Sequence, residues 1–143
     1  MKVSEIRDKF RDVALNLSTI KTFTFDDLDQ IATDQNLDYR LLHLTVPTET
    51  IINDINKPYE TWPIEFFIFD LDKDFNSDER VTAWEEIEEK GIEFIKALLV
   101  TPSEARLNPK SIAKTRGHLQ FVDKLVGVKF VITIEFFSNS HCT

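Results

Sequence analysis

Five oxygen-bearing residues recur at alternate positions in one stretch of this chain: Asp70, Asp72, Asp74, Asn76 and Asp78. Hard divalent cations take oxygen ligands at such a spacing, so Asp70, Asp72 and Asp74 are the candidate metal ligands. A helix–loop–helix calcium site also needs Gly at its sixth position and a bidentate Glu at its twelfth. Counted from Asp70, those positions are Phe75 and Val81; counted from Asp72, they are Ser77 and Ala83. The expectation is therefore a polar strand exit and helix start, with no metal or other cofactor.

The other chemistry-bearing residues suggest no mechanism. His43, His118 and His141 are scattered, whereas zinc wants three or four nitrogen or sulfur donors. No Gly-x-Ser-x-Gly elbow is present, and three widely spaced Gly cannot build a phosphate-cradling loop. Glu85, Glu86, Glu88 and Glu89 fall on the solvent side of a helical pattern, where nothing would tune them for acid–base work. No catalytic residue can be named, and the expectation is a protein that is not an enzyme. Arg106, Lys110, Lys114 and Arg116 form a basic series without interleaved aromatic residues. It suits contact with an acidic neighbouring subunit at least as well as contact with nucleic acid.

The elements that must position these residues follow from periodicity. Val126 to Phe137 alternates over its whole length, with Val126, Val128, Phe130, Ile132, Ile134 and Phe136 on one apolar face. Ile64 to Leu71 is a second strand, apolar on both faces apart from Glu65 and so central in a sheet. Between them runs a long helix, with Ser77 as its expected cap and a buried stripe of Val81, Trp84, Ile87, Gly91, Phe94, Ile95 and Leu98. Gly91 in a helix interior implies a close crossing over the sheet. Val3, Ile6, Phe10, Val13 and Leu17 mark an N-terminal amphipathic helix.

Thr22 to Phe25 is short and β-prone, residues 26–32 suit a short Asp-capped helix, and Arg40 to Val46 reads as a strand stopped by Pro47. Residues 48–62 read as an extended connection or hairpin arm, and 103–117 as a second protruding arm. His118 to Leu125 and Val126 to Phe137 would then be the final strands, with Asp123-Lys124 as a turn or a bulge, followed by a loose tail at 138–143. The expected order is α, β, β, α, β, β. This is one α+β domain over 1–143, an antiparallel sheet with the N-terminal helix and the long central helix packed on one face.

Composition narrows the function classes. The 143 residues suffice for one core, and 42% apolar content argues against disorder. Twelve Phe against one Met point to a core stiffened by rings. The net charge of −8 is split: residues 1–104 carry −12 and residues 105–143 carry +4. Opposite surfaces on one chain favour head-to-tail contact between copies, and an acidic chain is a poor grip for nucleic acid. Cys142 is the only cysteine, and no run of 18 apolar residues exists. The expectation is a soluble intracellular protein with no membrane partner.

Three segments together resemble small proteins of tailed bacteriophages. They are Leu41-Leu42-His43-Leu44-Thr45-Val46-Pro47, the exit from Phe69-Asp70-Leu71-Asp72 through Asp78-Glu79, and Gly127-Val128 through Phe136 with Cys142 beyond. The likeness is to tail terminators and neck (head–tail connector) ring components of phages of the Bacteroidetes, crAss-like phages included. It implies a tail-terminator-like fold and a virion structural protein assembled in the host cytoplasm. Identical copies would close into a homo-oligomeric ring beside portal, neck and tail proteins, with DNA passing through unbound. That family carries no catalytic residues. Its segment corresponding to 48–62 is usually a regular strand, from which Pro58 and the Asn-rich stretch depart. The expected subunit-interface residues are Ile51, Ile52, Ile55, Tyr59, Arg106, Leu107, Lys110, Lys114 and Arg116. The alternative is a small acidic intracellular binding or immunity-type protein that masks a basic partner.

Overall fold

The computed structural model describes residues 2–26, 37–52, 54–57, 59–100, 107–120 and 124–137. Helix α1 spans Val3–Asn16, and the strands β1 (Thr22–Asp26), β2 (Leu41–Thr45) and β3 (Tyr59–Leu71) follow. Helix α2 then runs from Ser77 to Val100, before β4 (Leu107–Gln120) and β5 (Lys124–Phe137). The strands form one five-stranded sheet in the order β1-β2-β3-β5-β4.

Both described helices cover the same face. Ile6, Phe10, Val13 and Ala14 of α1 share one core with Ile87, Phe94, Ile95 and Leu98 of α2. Leu42, Leu44, Ile64, Phe66, Ile68, Val128, Phe130 and Ile132 rise into that core from the sheet. The α+β architecture expected from periodicity is the one observed. The sheet is mixed rather than purely antiparallel, because β1 pairs parallel with β2, from Thr22↔Leu41 to Asp26↔Thr45. A parallel pair needs a long crossover, and residues 27–40 are long enough to make one. The short helix expected at 26–32 begins on Asp26, the last residue of β1, and otherwise lies outside the described residues.

Rings hold the centre. Phe66 stacks on Phe130 at 4.9 Å between centroids, Phe94 meets Phe66 edge-on at 5.2 Å, and Phe10 lies 5.5 Å from Phe94. One four-ring cluster thereby joins β3, β5, α2 and α1, each pair adding about 0.5–1.5 kcal/mol beyond area burial. The stripe on α2 is as its spacing predicts from Ile87 to Leu98, but Val81 is exposed and Trp84 only half-buried. Asn76, not Ser77, is the cap. Its Oδ1 accepts from the Glu79 amide at 2.9 Å, and Glu79 Oε1 accepts from the Asn76 amide at 3.2 Å. This reciprocal capping box satisfies two amide groups that the first turn would otherwise leave open.

Strand β3 begins at Tyr59, earlier than the apolar run starting at Ile64 suggests. Pro63 sits inside it without breaking a ladder. Thr61, two residues earlier, exchanges hydrogen bonds with Ile51, so the Pro63 nitrogen faces that same side. Among the described residues no strand pairs there: β2 meets β3 over Leu41↔Phe69 to Leu44↔Phe66. The segment expected as an arm at 103–117 is largely strand β4, paired with β5 from Leu107↔Phe136 to Gln120↔Lys124. Its polarity misleads because it is an edge strand whose ladder, not an apolar face, fixes it. The expected strand start at His118 is accordingly corrected to Leu107. Residues 103–106 and the tail 138–143 lie outside the described residues.

Candidate functional site

The acidic exit of β3 forms no ligand cluster. Its three carboxylates are drawn to three different cations. Asp70 Oδ2 accepts from Arg40 Nε at 3.0 Å, and the same guanidinium reaches Glu86 Oε1 at 2.8 Å. Asp72 accepts from the Phe75 amide at 2.7 Å and from Arg80 Nε at 3.0 Å. Asp74, whose φ of 58° places it in the left-handed region, pairs with Lys124 Nζ at 2.9 Å. Asp tolerates that conformation better than most residues. Among the described residues no three of His, Cys, Asp and Glu gather as a metal would require.

Electrostatics separate the two inner carboxylates. The Phe75 amide bond, reinforced by Arg80, holds the Asp72 carboxyl below its ordinary value. Burial pushes Asp70 up, and Arg40 offsets only part of that. For Arg40 itself burial works against the charge, but Glu86 and Asp70 outweigh it and raise its pKa. These groups act as a clasp that ties the entry to β2, the exit of β3 and the first turns of α2. Arg40 and Arg80 were not legible as clasp residues in the sequence, since only the fold brings them beside Asp70 and Asp72.

The glutamates of α2 divide likewise. Glu85, Glu86 and Glu89 are exposed, as the helical pattern suggests. Glu88 is not on the wet side: its carboxylate turns to β4, where Lys114 Nζ lies 3.5 Å away and Arg116 Nε meets it directly. Trp84 Nε1 donates to the Gly117 carbonyl at 3.0 Å, so α2 clamps β4 at two levels. Two members of the basic series expected to meet a neighbour, Lys114 and Arg116, are thus matched within their own chain. Leu107 and Lys110 are placed by their backbone in β4, and Arg106 lies outside the described residues. Lys110 is the extra residue of a bulge between Pro109 and Ser111. A proline, a bulge and basic side chains on an edge strand oppose in-plane pairing with another chain.

His43 is fully buried rather than half-buried. Its Nδ1 lies 2.7 Å from Thr24 Oγ1 and its Nε2 3.1 Å from the Asp26 carbonyl, so the ring fastens β1 to β2. His118 is exposed on β4. His141 and Cys142 lie outside the described residues.

The arm at 48–62 is a hairpin arm merging into β3. Ile51 and Thr61 exchange backbone bonds of 2.8 and 2.9 Å. A turn closes through Lys57 N–H to the Asp54 carbonyl and Asn56 N–H to Asp54 Oδ1, both at 3.0 Å. The four expected interface residues here, Ile51, Ile52, Ile55 and Tyr59, are all exposed, Ile55 at the tip reaching 71%. Four large apolar side chains on so short a segment exceed the scattered exposure normal for a surface.

Two concave features bear on the surface between α2 and β4 and on the opposite sheet face. A groove of about 540 Å³ between α2 and β4 is lined by Glu85, Glu88, Glu89, Glu93, Lys96 and Lys114. On the sheet face opposite α1 and α2, a mostly apolar recess of about 170 Å³ lies among Phe67, Phe69, Thr115, Arg116, Gly117, Gly127 and Lys129. Phe67 and Phe69 stack there at 5.3 Å. The Phe69 ring lies over Gly127, where a Cβ would come within 2.5 Å of it, whereas a Cβ on Gly117 would meet open space.

No protein family's sequence model matches the chain, and no curated protein matches it at a significant level. No described helix is long and apolar enough to cross a membrane.

Proposed function

We propose that this chain is a bacteriophage virion structural protein. Its copies close into a ring at the neck or the top of the tail, between portal, neck and tail proteins, and leave DNA free to pass. The observation that carries this reading is the arm bearing Ile51, Ile52, Ile55 and Tyr59 exposed to solvent. Such a patch on a small domain marks a protein–protein contact. The two-layer α+β fold agrees with the fold that the resemblance implies, and the net charge of −8 suits a conduit that does not hold phosphate. The residues with chemistry are spent on internal clasps, which fits a passive part.

Sedimentation velocity and negative-stain imaging of the purified chain, alone and co-expressed with its genomic neighbours, test the reading. Closed rings are expected. Ile51→Ser with Ile52→Ser should weaken assembly while leaving the unfolding midpoint of the subunit nearly unchanged. A chain that stays monomeric in every combination overturns the reading.

A second reading, a small acidic protein that masks a basic partner, is favoured by the carboxylates of Glu85, Glu89 and Glu93 along the groove beside α2. Tight 1:1 capture of a basic protein, with no assembly, would select it.

A further inference from the structure

We propose that β1 is a docking edge for a second copy of this chain. The two β1 strands pair antiparallel about a two-fold axis at Thr24 and join two five-stranded sheets into one. The contact is independent of the ring reading, since it joins copies in pairs through one surface used twice.

The sheet has two outer strands, β1 and β4. Pro109, the Lys110 bulge and basic side chains guard β4, as such devices keep an edge from pairing. β1 holds no proline, lysine or bulge, and its Thr and Phe residues favour a strand. Its ladder fixes which backbone groups are in use. Thr22 pairs with Leu41, and the Thr22 amide donates to the Arg40 carbonyl at 3.4 Å. Thr22 and Thr24 therefore turn their N–H and C=O towards β2, whereas Phe23 and Phe25 turn theirs away from it. Among the described residues nothing bonds those outward groups.

That pattern selects the occupant. The two outward-facing residues flank Thr24 symmetrically, so an axis at Thr24 sets each Phe23 opposite Phe25 of the other copy. Both become hydrogen-bonded pairs, and the two N–H and two C=O groups of each strand are all satisfied. An axis at Phe23 or Phe25 would bring only one outward residue of each β1 into a pair. Side chains agree with the register. Phe23 and Phe25 pack against the core on the helix side, so the contact sets ring against ring, a favourable cross-strand pair. Asp26, the only charge in β1, falls opposite Thr22. Parallel pairing in register would set Asp26 against Asp26 instead, which like charges oppose.

The test follows amide hydrogen exchange of the unaltered full chain across protein concentrations, with sedimentation velocity on the same samples. Dimers are expected. The Phe23 and Phe25 amides should slow as the dimer forms, while the Thr24 amide is slow throughout. Register is read in a Cys142→Ser background, where Thr22→Cys and Asp26→Cys chains should form a disulfide only when mixed. Those positions face each other as a non-hydrogen-bonded pair, about 4.5 Å between Cα atoms and within disulfide reach. Association that leaves the Phe23 and Phe25 amides fast overturns the β1 contact and leaves the ring reading standing. A disulfide in Thr22→Cys chains alone, or none in the mixture, does the same. A chain that stays monomeric by itself also overturns the contact.

Discussion

The ring of Phe130 occupies the space that a side chain on Gly91 would need: a Cβ there would lie 2.0 Å from Phe130 Cζ. Phe130 is fully buried and stacked on Phe66, so it cannot swing aside freely. Helix propensity favours Ala over Gly by about 1 kcal/mol. Overpacking a filled core costs about 1–3 kcal/mol or more. Packing should win, and Gly91→Ala should destabilise the protein in urea unfolding. Adding Phe130→Leu should make the Gly91→Ala step cheaper than it is in the parent, a coupling that a double-mutant cycle reads directly.

Acid stability should depend on Asp72 and Asp70 with opposite signs. Asp72 has a folded pKa below the unfolded value of 3.8, so its contribution is complete above that value. It is lost as pH falls through the folded pKa. Asp70 is raised instead, so its protonation favours the folded state and stability is relieved as pH falls through its pKa. Asp72→Asn should flatten the acid limb of a stability–pH curve, whereas Asp70→Asn should steepen it. At neutral pH the Asp72 change should cost about 1.5–3 kcal/mol, the range for a hydrogen bond to a charged group.

Arg40 should be the least replaceable basic residue among those described. Its side chain is 13% exposed and bridges Asp70 to Glu86. Arg40→Ala leaves Asp70 partly buried without its cation, and a loss of about 1–3 kcal/mol is expected, since removing one member of a shielded pair strands the other. Lysine should not restore the loss, because one ammonium cannot reproduce the fork that reaches two carboxylates. Thermal unfolding of the Ala and Lys variants decides this.

Trp84 and Glu88 should control how firmly β4 is held. Trp84→Phe removes the bond to the Gly117 carbonyl, and Glu88→Gln removes the charge facing Lys114 and Arg116. Each should speed amide exchange in β4 more than in β3. Equal acceleration across the sheet would mean that α2 stabilises the fold as a whole rather than this edge.

Legibility followed the kind of constraint on each segment. β5 and the later turns of α2 were readable because burial of one face imposes a period on adjacent residues. β4 was not. Leu107 to Gln120 owes its strand to partners on β5 and to the carboxylate of Glu88, and neither leaves an apolar alternation. The Asp70, Asp72 and Asp74 series shows the same limit from the other side. Its spacing suggests shared ligation, yet the partners come from 30, 8 and 50 residues away. The exposed arm was partly readable, since Ile51, Ile52 and Ile55 stand among polar residues. The recess was invisible, because Phe67 and Gly117 come to line one surface only through the pairing of β3 and β4 with β5.

Amino-acid order alone determined the two helices, the long central strands, the phenylalanine core and the close crossing at Gly91, since each arises from local periodicity or a single steric demand. Only the tertiary structure decided that β1 runs parallel to β2, that the polar segment at Leu107–Gln120 is an edge strand, and that each acidic side chain at the exit of β3 has its own cation. The physical reason is range. Burial patterns act between residues a few positions apart, whereas ladder partners and ion pairs are chosen by where the chain returns after tens of residues.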